Sequence, residues 1–368
     1  MGEALRLARR GLGATSPNPA VGCVIVSDGR VVGCGWHRRA GSEHAEAAAL
    51  RAAGPLARGS DVYVTLEPCR HHGRTPPCAA ALIEAGVRRV FVGTLDPNPR
   101  VNGAGAAELR RAGVEVVTGV REAECLRLNE AYNKHITTGL PFVTLKLACS
   151  LDGRTATSAG ESRWITGTAA RRLVHRMRAR SDAVMVGAGT VLKDDPELTV
   201  RHVKGRAPLR VIVDEGLSLG LESRLVRSAS PSAPVTVFTV AGAGGGKAAA
   251  LAGRGVEVVE AGAGAGGLVD LNAVLAELGR RDVTSVLVEG GSTLAASLVR
   301  SGLADRLVLF FAPMLIGGEG LAAFGPLAVT ALGEAPRLRE LTARRVGGDV
   351  LVEGLFEGAA VPGGPVGG

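Results

Sequence analysis

The stretch Asp61-Val62-Tyr63-Val64-Thr65-Leu66-Glu67-Pro68-Cys69 leads through a polar, proline-rich loop to Cys78-Ala79-Ala80-Ala81-Leu82-Ile83-Glu84-Ala85, then to Arg88-Arg89-Val90-Phe91-Val92-Gly93. Its β-branched residues make Asp61 to Leu66 a strand, the Ala/Leu-rich run a helix, and the next apolar run a second strand. Strands joined through a helix run parallel, because the crossover needs that length. N-terminal to this unit, Ala20 to Val26 reads as a buried strand, Asp28-Gly29 as a hairpin turn and Arg30 to Trp36 as the returning strand. His44 to Ala53 and Gly105 to Ala112 read as helices, and Val114 to Val117 as a strand. Such alternation implies a mainly parallel sheet covered by helices, a three-layer α/β/α domain.

Gly139-Leu140-Pro141 marks a boundary. Beyond it, Phe142 to Ala148, Ala183 to Gly187, Leu209 to Asp214, Val235 to Thr239, Ser285 to Glu289 and Arg306 to Phe311 are strand-like, and Ala169 to Arg180 is helical. A second α/β domain follows, so the expected division is 1–140, 141–358 and a frayed tail, 359–368. The Ala/Gly tract from Ala241 to Gly267 reads as a loose surface connection with one short strand. The two halves share no internal repeat.

A chain of 368 residues exceeds what one core usually organises, which agrees with two domains. No apolar run approaches the roughly 20 residues of a membrane span, and Met1-Gly2-Glu3-Ala4-Leu5-Arg6 lacks a signal-type apolar core, so a cytoplasmic location is expected. The formal charge of +8 allows anionic ligands, but aromatics are only 3% of the chain, few for stacking on nucleic-acid bases. Small phosphorylated substrates are the better match; a homo-oligomer is compatible with the sequence. Six cysteines make no disulfide framework. Cys23, Cys34, Cys125 and Cys149 lie in apolar or small-residue stretches and read as buried thiols, whereas polar sequence surrounds Cys69 and Cys78.

His44-Ala45-Glu46 opens a helix, and Pro68-Cys69 and Cys78 follow. One imidazole and two thiolates are three zinc ligands that leave a fourth tetrahedral position for water, the arrangement of a catalytic site. The metal would lower the water's pKa to about 7. Pro77 suits the first position of a helix, which places Cys78 in the first turn, where the helix dipole favours a thiolate. Residues i and i+2 do not share a helix face, so Glu46 stands outside the ligand set and can serve as the proton-transferring group. The pattern matches the zinc-deaminase signature His-x-Glu with Pro-Cys-x-x-Cys, except that eight residues separate the cysteines here.

With Ser16-Pro17-Asn18-Pro19, Gly22, His44-Ala45-Glu46 and the whole stretch Thr65 to Cys78, the first half resembles the bifunctional riboflavin-biosynthesis deaminase/reductase family. The resemblance implies a cytidine-deaminase-like fold and deamination of a diaminopyrimidinone carrying a ribosyl 5-phosphate, with activated water attacking the carbon that bears the amine. Asn18 and Arg74 are candidate substrate contacts; His37 and His71 are weaker ones, since loop histidines are commonly solvated.

Leu145-Lys146-Leu147-Ala148, Ser150 to Thr155, Gly160 to Thr166 and Asp194 to Arg201 extend the resemblance into the second half. It implies a reductase domain similar to dihydrofolate reductase, which uses NADPH to open the ribosyl ring and reduce it to a ribityl chain. By position, Ala148, Trp164, Thr190, Asp194 and Gly291-Ser292-Thr293-Leu294-Ala295-Ala296-Ser297 would line the NADPH site. Ser162, Arg178, Leu198, Arg201 and Glu289 would hold the substrate. From the residues alone, Val288-Glu289-Gly290-Gly291-Ser292 is a strand, a glycine turn and a helix start, where amides and dipole can cradle phosphate. Glu289 lies at a strand's carboxyl end, where open α/β sheets bind ligands. Arg201 is a plausible phosphate clamp. Arg178 alone would read as part of a solvated helix face and Trp164 as core. Glu215 stands where a small hydroxyl residue would suit NADPH better; its carboxylate would repel a 2′-phosphate. A nucleic-acid (tRNA adenosine) deaminase with an unrelated second domain is the alternative; an inactive zinc module would need His71 or His72 as a fourth ligand.

Overall fold

The computed structural model describes residues 1–70, 77–99 and 101–359, and its chain divides into two compact units, Met1–Leu140 and one that begins at Pro141. In the first unit the order is α1 (Gly2–Ala8), β1 (Gly22–Ser27), β2 (Arg30–Trp36), α2 (Ala45–Ala53), β3 (Asp61–Leu66), α3 (Cys78–Glu84), β4 (Arg89–Thr94), α4 (Ala104–Arg111), β5 (Glu115–Val117), α5 (Glu122–Leu128) and α6 (Glu130–Thr138). The sheet order is β2-β1-β3-β4-β5. β3, β4 and β5 are parallel, but β1 runs antiparallel to both β2 and β3, so the sheet is mixed. The reason is the hairpin: after the Asp28-Gly29 turn β2 occupies the edge, and β1 meets β3 on its other side.

Alternation along the strands builds two layers of core. Cys23, Ile25, Val62, Val64, Val90 and Val92 face Ala45, Ala49, Ala79, Leu82 and Leu109 of α2, α3 and α4. Val24 and Tyr63 face Ala4 and Leu7 of α1 on the opposite side. Helix α1, which the sequence reading left out, closes the second face. Gly33 and Gly35 approach α2 so closely that a Cβ on Gly33 would lie 2.3 Å from the Ala49 carbonyl oxygen. Cys34, between them, therefore points away from the helix on an edge strand and is exposed, which corrects its reading as a buried thiol.

The second unit continues with β6 (Phe142–Ser150), β7 (Arg154–Ala156), α7 (Thr168–Arg180), β8 (Ala183–Gly187), α8 (Ala188–Asp194), β9 (Leu209–Val213), α9 (Arg224–Arg227), β10 (Val235–Thr239), α10 (Lys247–Ala252), β11 (Val256–Glu260), α11 (Leu271–Arg280), β12 (Ser285–Glu289), α12 (Ser292–Arg300), β13 (Arg306–Ala312), β14 (Leu321–Ala322), β15 (Leu338–Val346) and β16 (Asp349–Phe356). Nine strands form one sheet in the order β11-β10-β9-β8-β12-β6-β13-β16-β15. The seven from β11 to β13 are parallel, and β16 and β15 add an antiparallel edge. Val184, Val186, Ile212, Val237 and Leu287 are buried in its core. The tract from Ala241 to Gly267 is more than a loose connection: it holds α10 and the edge strand β11, with Leu251 and Val256 buried. Ala261 is buried too, and Ala243, Ala248 and Val258 pack against the core; the Ala/Gly composition hid the helix. Among the described residues no helix is long and apolar enough to cross a membrane.

Candidate functional site

In the first unit, His44 is the residue before α2, with extended backbone, and Glu46 lies in that helix's first turn. Cys69 follows the carboxyl end of β3, and Cys78 is the first residue of α3. Pro77 is therefore the N-cap of α3, one position earlier than expected. The Cys78 N–H donates to Cys69 Sγ at 3.5 Å, and the Ala79 N–H to the Cys69 carbonyl at 3.1 Å, so the start of α3 holds the other ligand. His44 Nδ1 lies 3.2 Å from Cys78 Sγ and 3.5 Å from Cys69 Sγ, and the three ligand atoms all fall within 4.8 Å of one another. Zn–N and Zn–S bonds of about 2.0–2.1 and 2.3 Å set a tetrahedral N···S edge of about 3.6 Å, so the donor set and its spacing fit zinc.

The electrostatics fit as well. The Cys78 S–H hydrogen bond, followed by His44, brings the first thiol of the pair, Cys69, down to about 4. The second, Cys78, is pushed up by that same hydrogen bond and by burial. Without a cation the pair surrenders one proton and keeps the other, so a divalent ion would be needed to draw off both. Glu46 is 3% exposed, and burial, with the negative Cys69 beside it, pushes its carboxyl up to about 7. His37, read as a solvated loop residue, is instead buried: its Nδ1 lies 3.1 Å from the Glu43 carbonyl, and its ring meets His44 edge-on with centroids 5.5 Å apart.

Glu67 supports the segment that carries Cys69, a role the sequence reading missed. It is buried, and its carboxylate accepts N–H groups of Asp96, Gly103, Gly105 and Ala106 at 2.8–3.1 Å, two residues before the Cys69 ligand. Asn18 lies on an exposed turn with its N–H donated to the Thr15 carbonyl at 2.9 Å; its side chain makes no hydrogen bond to the cluster among the described residues. Arg74, His71 and His72 lie outside the described residues.

In the second unit a cavity of about 1020 Å³ opens at the carboxyl ends of the parallel strands. Of the residues expected at NADPH, it is lined by Ala148, Trp164, Thr190, Asp194, Gly291, Ser292, Thr293, Leu294 and Ser297. Of those expected at substrate, Ser162, Arg178, Leu198, Arg201 and Glu289 line it. Ala295 and Ala296 do not: at 0% and 1% exposure they sit on the core side of α12, since a helix cannot turn seven consecutive residues to one face. Trp164 is 70% exposed on this rim, with the Arg171 guanidinium 4.6 Å from its ring centroid, and is not core.

Gly290 and Gly291 have φ of 73° and 78°, a left-handed turn that suits glycine, and α12 then begins without a side-chain cap. Its first amides thus face the cavity free to bind phosphate, and cavity, turn and helix start together fit a dinucleotide. Arg178 is not on a solvated face. Its Nε and Nη2 donate to Glu289 Oε1 and Oε2 at 2.5 and 2.9 Å, and its Nη1 to the Thr199 carbonyl at 3.0 Å. Burial pushes the Glu289 carboxyl up, but Arg178 outweighs it and the net shift is downward. Arg201 pairs with Glu197 and donates its N–H to His175 Nδ1 at 3.0 Å. Lys146 also lines the cavity; burial lowers its pKa although Glu289 opposes that. In sequence, a single lysine in an apolar strand gives no sign of facing a cavity.

Comparison with known proteins gives a family for each unit. Residues 1–94 match the cytidine and deoxycytidylate deaminase zinc-binding region, and residues 141–352 match the RibD C-terminal domain. The riboflavin biosynthesis protein RibD of Aquifex aeolicus is 42% identical over 95% of both chains. The chain belongs to the RibD family. RibD of Escherichia coli K12 is 41% identical over 96% of this chain and 97% of its own. The solved RibD of Acinetobacter baumannii superposes with a TM-score of 0.86 at 40% identity, covering 96% of this chain and 97% of that one. A Thermotoga maritima diaminohydroxyphosphoribosylaminopyrimidine deaminase/5-amino-6-(5-phosphoribosylamino)uracil reductase gives 0.84 at 39% identity over 97% of each. The chain is thus a bifunctional enzyme of riboflavin biosynthesis, with a zinc-binding deaminase domain and a reductase domain of the NADPH-using type. An unrelated second domain, on which the nucleic-acid deaminase alternative depended, is not what the chain carries.

Proposed function

We propose that the first unit deaminates 2,5-diamino-6-(5-phosphoribosylamino)pyrimidin-4(3H)-one, and that the second then reduces the ribosyl group of the product to ribityl with NADPH. The observation that supports this most is the triangle of His44 Nδ1, Cys69 Sγ and Cys78 Sγ beside the buried Glu46. His44, Cys69 and Cys78 would hold zinc, whose chemistry there would be to activate water at neutral pH. Glu46, buried beside the ligands, would take one proton of the attacking water and hand it to the ring nitrogen, then carry the second from the new hydroxyl to the leaving amine, so that ammonia departs. In the second unit NADPH supplies the hydride. The amides at Ser292 to Leu294 would hold its pyrophosphate, and Trp164 and Ala148 would help to hold the dinucleotide. Arg201 meets the substrate phosphate, while the Arg178–Glu289 pair fixes the sugar end. A small phosphorylated pyrimidine, rather than a nucleic acid, suits both sites, and the free cysteines suit a cytoplasmic enzyme.

The test follows ammonia release and NADPH oxidation separately on the phosphoribosyl diaminopyrimidinone. Glu46→Gln is expected to retain zinc, release no ammonia, and still reduce substrate that is already deaminated. Deamination by Glu46→Gln at the normal rate would overturn the role of Glu46, and absence of NADPH consumption would overturn that of the second unit.

A further inference from the structure

The large cavity crosses the ends of four strands in sheet order: Ala148 on β6, Glu289 on β12, Gly187 on β8 and Val213 on β9. If the reactive end of a dinucleotide lies over β6 and its pyrophosphate over the α12 amides, its adenosine lies over β9. There the cavity is lined by Glu215 and, from the segment after β11, by Asp270. The Glu215 backbone is tied down, because Thr239 Oγ1 donates to its carbonyl at 2.9 Å, but its half-buried carboxylate has no hydrogen bond or ion pair among the described residues. Asp270 spends its carboxylate on the Asn272 N–H at 2.9 Å.

No lysine or arginine occurs in residues 213–220, 239–246 or 261–272, the stretches at and just after the carboxyl ends of β9, β10 and β11; the next cation along the chain after β9 is Arg224, which also lines the cavity. Of the cavity's other cations, Arg178 pairs with Glu289, Arg201 and Arg224 share Glu197, Arg163 donates to the Asp194 carbonyl, Arg171 packs on Trp164, Arg300 donates to the Pro326 carbonyl, and Lys146 and Lys193 lie on β6 and α8, so none is a chain neighbour of Glu215. A 2′-phosphate needs a cation, whereas a carboxylate beyond a strand end accepts the hydroxyls of an unphosphorylated ribose. Like charges brought together in a partly buried pocket select against the ligand that carries the extra one.

We propose that Glu215 accepts the adenosine ribose hydroxyls and opposes the 2′-phosphate, so that this chain binds NADH at least as tightly as NADPH. The inference rests on the reading of this cavity as the dinucleotide site. The test titrates the full chain with NADH and with NADPH by nucleotide fluorescence, and with ADP and 2′-phosphorylated ADP by calorimetry. A Kd for NADH equal to or below that for NADPH is expected. Glu215→Ser should tighten NADPH by about tenfold and loosen NADH, a change of the size that one charge contact produces. Ser292→Asp, which sets a charge against the pyrophosphate, should weaken both dinucleotides alike. NADPH bound more than tenfold tighter by the unaltered chain, or a ratio that Glu215→Ser leaves unmoved while Ser292→Asp weakens both, overturns the proposal and leaves the cavity reading standing. Failure of either dinucleotide to bind, or indifference to Ser292→Asp, overturns both.

Discussion

Glu67→Gln should uncouple the deaminase from its metal without touching the active-site residues. The Glu67 carboxylate is 4% exposed; Oε1 accepts from Gly105 N and Ala106 N at 2.8 and 3.0 Å, and Oε2 from Gly103 N and Asp96 N at 2.8 and 3.1 Å. These donors are the uncapped start of α4 and the turn after β4, where a negative charge also complements the helix dipole. Glutamine keeps one oxygen for two of the four N–H groups but turns an NH₂ toward the other two. Two buried donors without acceptors cost about 1–3 kcal/mol each, so the first unit should lose about 2–6 kcal/mol. Only Pro68 separates Glu67 from the Cys69 ligand, so the strain reaches the cluster. The assay pairs thermal unfolding with bound-zinc measurement and with the two activities. The expected variant unfolds earlier, holds less zinc and deaminates slowly, while reduction of pre-deaminated substrate is retained. Full zinc occupancy with an unchanged unfolding profile would refute this account of how Cys69 is held.

Three further outcomes follow from other contacts. In Gly105→Ala the new Cβ would stand 2.0 Å from the Pro68 carbonyl oxygen, so α4 and the Cys69 segment must part, and zinc content and deamination should fall together. Arg178→Ala leaves the Glu289 carboxylate buried and uncompensated, a loss of about 3–5 kcal/mol from the second unit; adding Glu289→Gln should restore part of the melting temperature but not reduction. Burial, then Arg178 and Arg201, hold His175 at about 4 against about 6.5 in an unfolded chain. The unfolded state thus binds the extra proton. His175 contributes fully above pH about 6.5, and its contribution is lost as the pH falls toward 4. His175→Asn should accordingly show a smaller drop in second-unit melting temperature across that window than the unaltered chain.

The boundary between what the sequence reveals and what it conceals follows the range of the physics involved. His44, Glu46, Cys69 and Cys78 could be read because metal chemistry restricts residue type, and because each stands at an element end that short-range periodicity locates. Strands β8, β10 and β12 could be placed for the same reason: their apolar runs are local. Arg178 could not. Its neighbours Arg176 and Arg180 make the run look solvated, and only the return of β12 more than a hundred residues later brings Glu289 against it. Cys34 failed in the opposite sense, since its apolar neighbours are the glycines that let α2 come close and so turn the cysteine outward. The carry-over of Gly291 to Ser297 as one block erred because a resemblance transfers positions along a chain, whereas a helix presents only one stripe of them to a cavity. Glu215 joins the two kinds of information. Its charge is plain in the sequence, but only the sheet order β6-β12-β8-β9 sets that charge at the far end of the cavity from Ala148. A local departure of that kind becomes a statement about cofactor choice only when the fold supplies the distance.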